Sequence, residues 1–418
     1  MNIIIHRGTH QIGGSCIELS TEKTRIIFDV GQELPPINGK QSADRNKTLD
    51  IAGLFNNSPR AVDAVFISHY HGDHSGLLGD VPEGVPIYMG EKASKIFNTS
   101  SRFTNSNACV NSPRHLTNGH EIIVGDFSII PYLVDHSAFD AYAFVIRAQE
   151  KQVIYTGDLR AHGNKAEMMK VFLKQLPYKV DALMIEGTIM SRMTEKMITE
   201  NQIGQEARIF MSKTGRPVFV VQSSTNIDRL VQMYKVARHT KRLFVVDIYT
   251  ANVVSQLGSS IPNPYTFKDV RVFYPYFLTE RMFNQAGSDE TMLKFSRYRI
   301  SSDELRNRAD YCMLIRDSML YDLKKRLGNI EGSSLIYSMW KGYLQTDRMQ
   351  RLMNFCSEKN MDVAYLHTSG HADLGMIKRI IEVCKPNKII PVHTEYPERF
   401  EDIFENVIMI NDGQTISI

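Results

Sequence analysis

The chain has 418 residues, 43% of them hydrophobic and 23% charged, and a formal net charge of +3. This is the composition of an ordinary globular protein, mildly basic and compatible with an anionic substrate, but too long for one ordinary core, so two domains or one domain with a large insertion are expected. No apolar run approaches membrane-spanning length, and no internal repeat or low-complexity segment is present; Met1 to Arg7 is not a signal peptide, and the five cysteines are scattered with no CxxC, so they read as reduced thiols in a cytoplasmic protein with no membrane partner.

In chain order, Ile3 to Ile5 reads as a first strand and Gly13-Gly14-Ser15 as a turn. Thr24 to Gly31 is a strand ending in a carboxylate, Asp29, before a glycine. Asp29 is either a turn residue or a partner that orients a metal-binding histidine from behind. The apolar run Ala64-Val65-Phe66-Ile67 then leads into Ser68-His69-Tyr70-His71-Gly72-Asp73-His74, with three histidines and an aspartate in six positions. A buried strand delivering a polar loop fits this pattern. His69 and His71, two apart, leave one face of extended backbone and can share a cation. Gly72 permits a turn that swings Asp73 and His74 toward a second one. Imidazoles with a carboxylate suit zinc, with manganese as the alternative. The competing reading, a solvated histidine-rich loop, does not explain why an apolar strand should end in packed imidazoles. This loop is too short to close two sites, so further ligands are expected downstream.

Val85 to Met89 reads as a strand, Glu91 to Phe97 as a short helix and Arg102 to Pro113 as a loop. The segments 121–124, 127–130, 143–146 and 152–155 alternate as antiparallel strands do. Two strand ends carry the residues the metal loop calls for: His136 after Val134-Asp135, and Asp158 after Thr156-Gly157. Each alone could be an ordinary loop residue. Asp181 to Glu186 is another strand ending in an acid. From about Ile189 the character changes: Ser191 to Lys213 is helical in tone, Arg216 to Val221 is a strand, Ile227 to Ala237 a helix and Leu243 to Val246 a strand, which implies a parallel βαβ unit. Its polar loop, Gln222 to Asn226, opens a helix where phosphate is favourably bound, so Ser223, Ser224 and Asn226 are candidate phosphate or RNA contacts; a helix cap is the competing reading of each. Between Ser255 and Asn329, aromatics (Tyr265, Phe267, Phe273, Tyr274, Tyr276, Phe277) alternate with basic residues, as a base-stacking surface or as plain core. Ser334 to Ser338 is a strand near the lone tryptophan, Trp340. Val363 to Leu366 leads to His367-Thr368-Ser369-Gly370-His371, in which Thr368 and Ser369 at a helix start form a second potential phosphate cradle. A helix with Leu374, Ile377, Ile380, Ile381 and Cys384 on one face follows, and Lys388 to Val392 delivers His393.

Together these pieces resemble the β-CASP nucleases of the metallo-β-lactamase fold, and within them the ribonuclease J group. The match is carried by Phe28-Asp29, His69-Tyr70-His71-Gly72-Asp73-His74, His136, Thr156-Gly157-Asp158, Glu186 in Ile185-Glu186-Gly187-Thr188, His371 in Ser369-Gly370-His371, His393 in Pro391-Val392-His393, and Ser224-Thr225-Asn226-Ile227-Asp228-Arg229. The histidine loop alone is shared with glyoxalases and lactonases; the long gap between Asp158 and His393 argues against those. The resemblance implies an α/β protein, a metallo-β-lactamase αββα sandwich (residues 1–188 and 362–418) with an inserted α/β β-CASP domain (189–361). It implies two zinc ions per chain, one held by His69, His71 and His136, the other by Asp73, His74 and His393, with Asp158 bridging. Asp73, Glu186 and His371 would be the catalytic residues, with His371, paired with Glu186, donating a proton to the leaving oxygen or stabilising it electrostatically. The implied substrate is single-stranded RNA, 5′-monophosphorylated in some members; a histidine at 393 favours RNA over DNA. The chain is expected to lack the C-terminal assembly domain of many bacterial members and any N-terminal KH module, which leaves the oligomer unassigned. A DNA nuclease, a small-molecule hydrolase and a non-catalytic RNA-binding partner are the competing functions.

Overall fold

The computed structural model describes residues 1–34, 49–56, 58–59, 61–106, 108–195, 197–285, 287–328 and 330–418. Asn329, at the end of the aromatic-rich stretch, lies outside them. The first six strands are β1 (Asn2–Arg7), β2 (Cys16–Ser20), β3 (Arg25–Phe28), β4 (Ala64–Phe66), β5 (Ile87–Gly90) and β6 (Arg114–Leu116). With β19 (Thr415–Ser417) at its edge, this sheet runs β19-β1-β2-β3-β4-β5-β6. A second sheet holds the meander β7 (Ile122–Val124), β8 (Phe127–Val134), β9 (Ala141–Ala148), β10 (Lys151–Tyr155), then β11 (Ala182–Glu186) and β18 (Ile389–Val392) in parallel.

The two sheets face each other across a dry aromatic layer. Phe66 lies between Phe28 (5.3 Å) and Tyr88 (4.5 Å), and Phe144 closes on Phe28 at 5.0 Å. Each fully buried ring of this kind stabilises the sandwich by about 1.5–3 kcal/mol. Helices cover both outer faces. α1 (Gly72–Ser75) is a single turn, and α2 (Glu91–Thr104) packs Ile96 and Phe97 on the first sheet. α3 (Ala166–Gln175) and the helix Leu374–Cys384 pack Phe172, Ile377 and Ile380 on the second. α2 is twice the length its sequence suggests. Its second half, Asn98 to Thr104, is Ser/Thr-rich and runs into the stretch from Arg102 that reads as a loop, but Phe103 is 3% exposed and packs on Tyr249 of the inserted layer, so tertiary burial overrides propensity.

The chain between β11 and β18 builds a third sheet, all parallel, in the order β14 (Val270–Phe273), β13 (Leu243–Asp247), β15 (Tyr311–Ile315), β12 (Val218–Val221), β16 (Ser334–Tyr337), β17 (Asp362–Tyr365). Helices α4 (Glu200–Ser212), α5 (Ile227–His239) and α6 (Ile248–Val254) cover one face and share a continuous apolar cluster with α2 and the first sheet. β12 and β13 belong to one parallel sheet, as the βαβ reading requires, but they are not neighbours: β15 inserts between them. β17 pairs with β16 from Ser334↔Asp362 to Tyr337↔Tyr365. These four residues therefore lie on the inserted sheet, and we place the proposed boundary after Tyr365 rather than at 361/362.

One consequence of this topology positions the site. β8, β10, β11 and β18 all run the same way, so His136, Asp158, Glu186 and His393 emerge at one edge of the second sheet. β3 and β4, parallel to each other, bring Asp29 and the histidine loop to the same edge.

Candidate metal centre

The loop after β4 begins as strand, with the Ile67 amide still donating to the Tyr88 carbonyl (2.8 Å). α1 then starts directly behind His71 and turns Asp73 and His74 away from the His69–His71 pair. Gly31 makes room for this turn: a Cβ there would run into the Asp73 carbonyl.

Ligand atoms from His69, His71 and His136 lie within 4.8 Å of one another, and so do those of Asp73, His74 and His393. Asp158 stands between the groups. Its Oδ2 is 3.1 Å from His74 Nε2 and 3.9 Å from His69 Nε2, and its Oδ1 is 3.7 Å from His393 Nδ1. Hydrogen bonds at the rear of two rings set their tautomers. His136 Nδ1 meets only the Gly370 carbonyl (2.6 Å), so that nitrogen donates and Nε2 keeps its lone pair, 3.2 Å from His71 Nδ1. His74 Nδ1 donates to Asp29 Oδ2 (2.8 Å), leaving Nε2 free toward the cluster.

Asp29 stands behind the cluster. Its carboxylate takes the Ser68 amide (2.7 Å), the Ser68 hydroxyl (2.8 Å) and the Tyr155 hydroxyl (2.6 Å) besides His74. Asp29 and His393 are both held at positive φ, +58° and +53°, conformations that non-glycine residues adopt at a cost and that cluster at functional sites.

Burial pushes His69 and His136 well below the ordinary histidine range and His71 down to about 4, so these rings are neutral and offer lone pairs. Burial acts in the same direction on His74, but the Asp158 and Asp29 carboxylates outweigh it and hold that ring's value up. Asp73 and Asp158 would be raised by burial; the surrounding imidazoles, His393 and His74 foremost, hold both below the usual carboxylate range. Among the described residues, the buried Asp158 Oδ1 has no hydrogen-bond partner. Converging lone pairs and orphaned buried acceptors are costly unless a cation lies among them. The residues fit divalent metal.

Beside this cluster, Glu186 reaches His371: Oε2 is 3.1 Å from His371 Nδ1, while Oε1 accepts the Leu159 (3.2 Å) and Ala372 (3.1 Å) amides. His371 Nδ1 is also 3.5 Å from Asp158. Burial lowers its basicity, but Glu186 and Asp158 prevail and raise it to about 9.

The phosphate candidates are placed differently. Thr368 donates its hydroxyl to the Ile198 carbonyl (2.5 Å), and the Ser369 hydroxyl accepts the His371 amide (3.1 Å). Neither stands at a helix start. The helix opens at Leu374 and is capped by Asp373, whose side chain accepts the Met376 amide. Asn226 caps α5 by accepting the Arg229 amide (3.1 Å), and the buried Ser224 hydroxyl is engaged by Thr250 and Arg316; Ser223 alone is exposed.

Four contributors carry no role in the sequence reading. Thr188 Oγ1 lies 3.1 Å from His371 and 3.0 Å from His393, bridging the two; its position two residues past a strand-ending acid was the available signal. Tyr70 donates to the Thr225 carbonyl (2.7 Å) and so ties the metal loop to the insert. Arg160 and His162 both donate to the Ser369 carbonyl (3.1 and 2.8 Å), fixing the backbone that carries His371.

The comparisons with known proteins fit this geometry. A model described as "Beta-lactamase superfamily domain" matches residues 35–246, just over half of the chain. The chain belongs to the beta-lactamase superfamily. A second model, "Zn-dependent metallo-hydrolase RNA specificity domain", matches residues 358–401, which include His371 and His393. Ribonuclease J of Helicobacter pylori is 23% identical over 410 residues, covering 93% of this chain and 55% of that protein. Ribonuclease J of Sinorhizobium meliloti is 24% identical over 390 residues, covering 88% and 64%. The chain is thus similar to the ribonuclease J group, and it spans about half to two-thirds of the length of these relatives. A crystal structure of a protein of unknown function from Enterococcus faecalis V583 shares the fold, with a TM-score of 0.79 at 23% identity over 99% of both chains.

Proposed function

We propose that this chain is a zinc-dependent ribonuclease that hydrolyses RNA phosphodiester bonds at a two-ion centre. The observation that carries the reading is the pair of converging ligand groups joined at Asp158, with the Glu186–His371 pair alongside. His69, His71 and His136 would hold one ion, Asp73, His74 and His393 the other, and Asp158 both. Bound zinc supplies a water of lowered pKa and positive charge for the phosphodiester oxygens. The chain's own residues do the rest. Asp29 and the Gly370 carbonyl fix the His74 and His136 rings from behind. Glu186 holds His371 through Nδ1, so that an imidazolium there would give its other proton to the leaving oxygen. Arg160 and His162 hold the Ser369 carbonyl, so that His371 keeps its place.

The test is product analysis on one RNA, labelled at its 5′ or 3′ end and carrying a 5′-monophosphate or 5′-triphosphate, with matched single-stranded DNA alongside. The proposal expects RNA cleavage by the zinc-loaded chain. Mononucleotides from the monophosphorylated RNA would mark a 5′ exonuclease, and internal fragments an endonuclease. A metal-replete chain that cleaves neither polymer would overturn it.

A further inference from the structure

The segment after β16 runs beside the segment that carries His371. The Leu366 amide donates to the Tyr337 carbonyl (3.0 Å), the Ser338 hydroxyl donates to the Leu366 carbonyl (2.5 Å), and Arg229 reaches both residues. Past Ser338 stands the only tryptophan of the chain, Trp340. Trp340 and Tyr343 meet edge to face, with centroids 5.6 Å apart and planes at 89°. Their backbone is pinned: the buried Tyr337 donates its hydroxyl to the Trp340 carbonyl (3.1 Å), and Leu344 packs into the core beneath. A side chain at Gly342 would run into the indole, so the bare glycine lets the ring lie against the turn. Both rings nevertheless remain open, Trp340 at 37% and Tyr343 at 39% exposure. The Ser338 amide donates to the Val221 carbonyl (2.8 Å), so this segment leaves the same sheet edge as the Gln222–Asn226 loop, whose Thr225 carbonyl takes the hydroxyl of Tyr70 in the metal loop (2.7 Å).

Two rings that merely capped the core would be buried as Tyr337 is, at 1% exposure. These are pinned, exposed and on the sheet edge that meets the metal loop, with the exposed Lys341 between them in sequence. Rigid aromatic faces with a neighbouring cation are what unpaired bases need, because every base has a stacking face. We infer that Trp340 and Tyr343 form a nucleobase-stacking platform at the lip of the metal centre, which seats a base of single-stranded RNA next to the scissile phosphodiester. The inference rests on the ribonuclease reading and adds the residues that grip the strand.

The lone tryptophan is its own reporter. A short single-stranded RNA titrated into zinc-loaded His371→Ala protein should quench its emission. In steady state, W340A and Y343A should each raise the KM for RNA about tenfold, with kcat changed far less, and W340F should recover most of the loss. An abasic ribonucleotide at the seated position should weaken wild type as much as W340A does, and the two changes should not add. If the wild type cleaves RNA while its emission and the KM of both alanine variants stay unchanged, the platform is wrong and the ribonuclease reading stands. If the metal-replete wild type neither binds nor cleaves RNA, both fall. Quenching in the His371→Ala protein, which keeps Trp340, and the W340F variant decide the matter even where W340A folds poorly.

Discussion

Two clusters of buried charge lie within one loop of each other. At the metal centre, imidazole nitrogens and the Asp73 and Asp158 carboxylates crowd together. At the seam between sandwich and insert, the pairing is reciprocal. Arg160 binds Glu200 (3.1 Å) and Asp228 (2.7 Å) and lies 3.5 Å from Asp135, while Arg229 grips Glu200 twice, at 2.8 and 3.0 Å. Both arginines are fully buried. The seam balances its charge with residues of the chain; the centre leaves its lone pairs converging and fits a cation. The seam also serves the centre, since Arg160 spans both: it binds the insert's Glu200 and the Ser369 carbonyl in the segment that carries His371.

The sharpest way to break this contrast is to remove the residue shared by the two ligand groups. Asp158→Ala should lose both metals and all RNA cleavage, read by elemental analysis and an RNA assay; an active, zinc-replete variant would end the bridging assignment. Next in size is His371→Ala, which should keep its metal and lose roughly 10²–10⁴-fold in cleavage rate, the usual range for a general acid. Normal cleavage by that variant would remove the proton-donor role.

At the seam the loss should appear as stability. Glu200→Gln leaves two buried guanidinium groups short of charge and should cost about 3–5 kcal/mol, read as a lower urea midpoint. Burial would raise the Glu200 carboxyl, but Arg229 and Arg160 hold it at about 2, below its ordinary value of 4.5. A depressed carboxyl contributes stability that is present above pH 4.5 and is lost as pH falls toward 2. The wild type should therefore lose this part of its stability between those values, while Glu200→Gln should show a flatter acid limb. An unchanged limb would mean the seam is not held by this charge. The smallest effect is expected for Asn226→Ala, which removes the α5 cap and should cost about 1 kcal/mol. RNA affinity lost well beyond that would return Asn226 to the phosphate-binding group.

The same contrast explains what could be read from the sequence. The metal loop is local: four ligand-type side chains in six positions after an apolar strand announce themselves, and the remaining ligands follow similar strand ends. The seam is not local. Arg160, Glu200, Asp228 and Arg229 look like surface charges one by one, and only the fold buries them together. β15 separates β12 from β13 for a related reason, since parallel pairing between distant segments leaves no mark at either strand. Thr368 and Ser369 fail as a helix-start cradle because the helix begins later, at the Asp373 cap, and their hydroxyls are spent on backbone.

The most direct test of the two-ion centre is metal stoichiometry of the purified chain by mass spectrometry, for wild type, His136→Ala and His393→Ala. The account predicts two zinc ions per wild-type chain and about one in each variant, the first losing the ion held with His69 and His71, the second the ion held with Asp73 and His74. A wild type that binds a single ion at saturation, or variants that retain both, would contradict it.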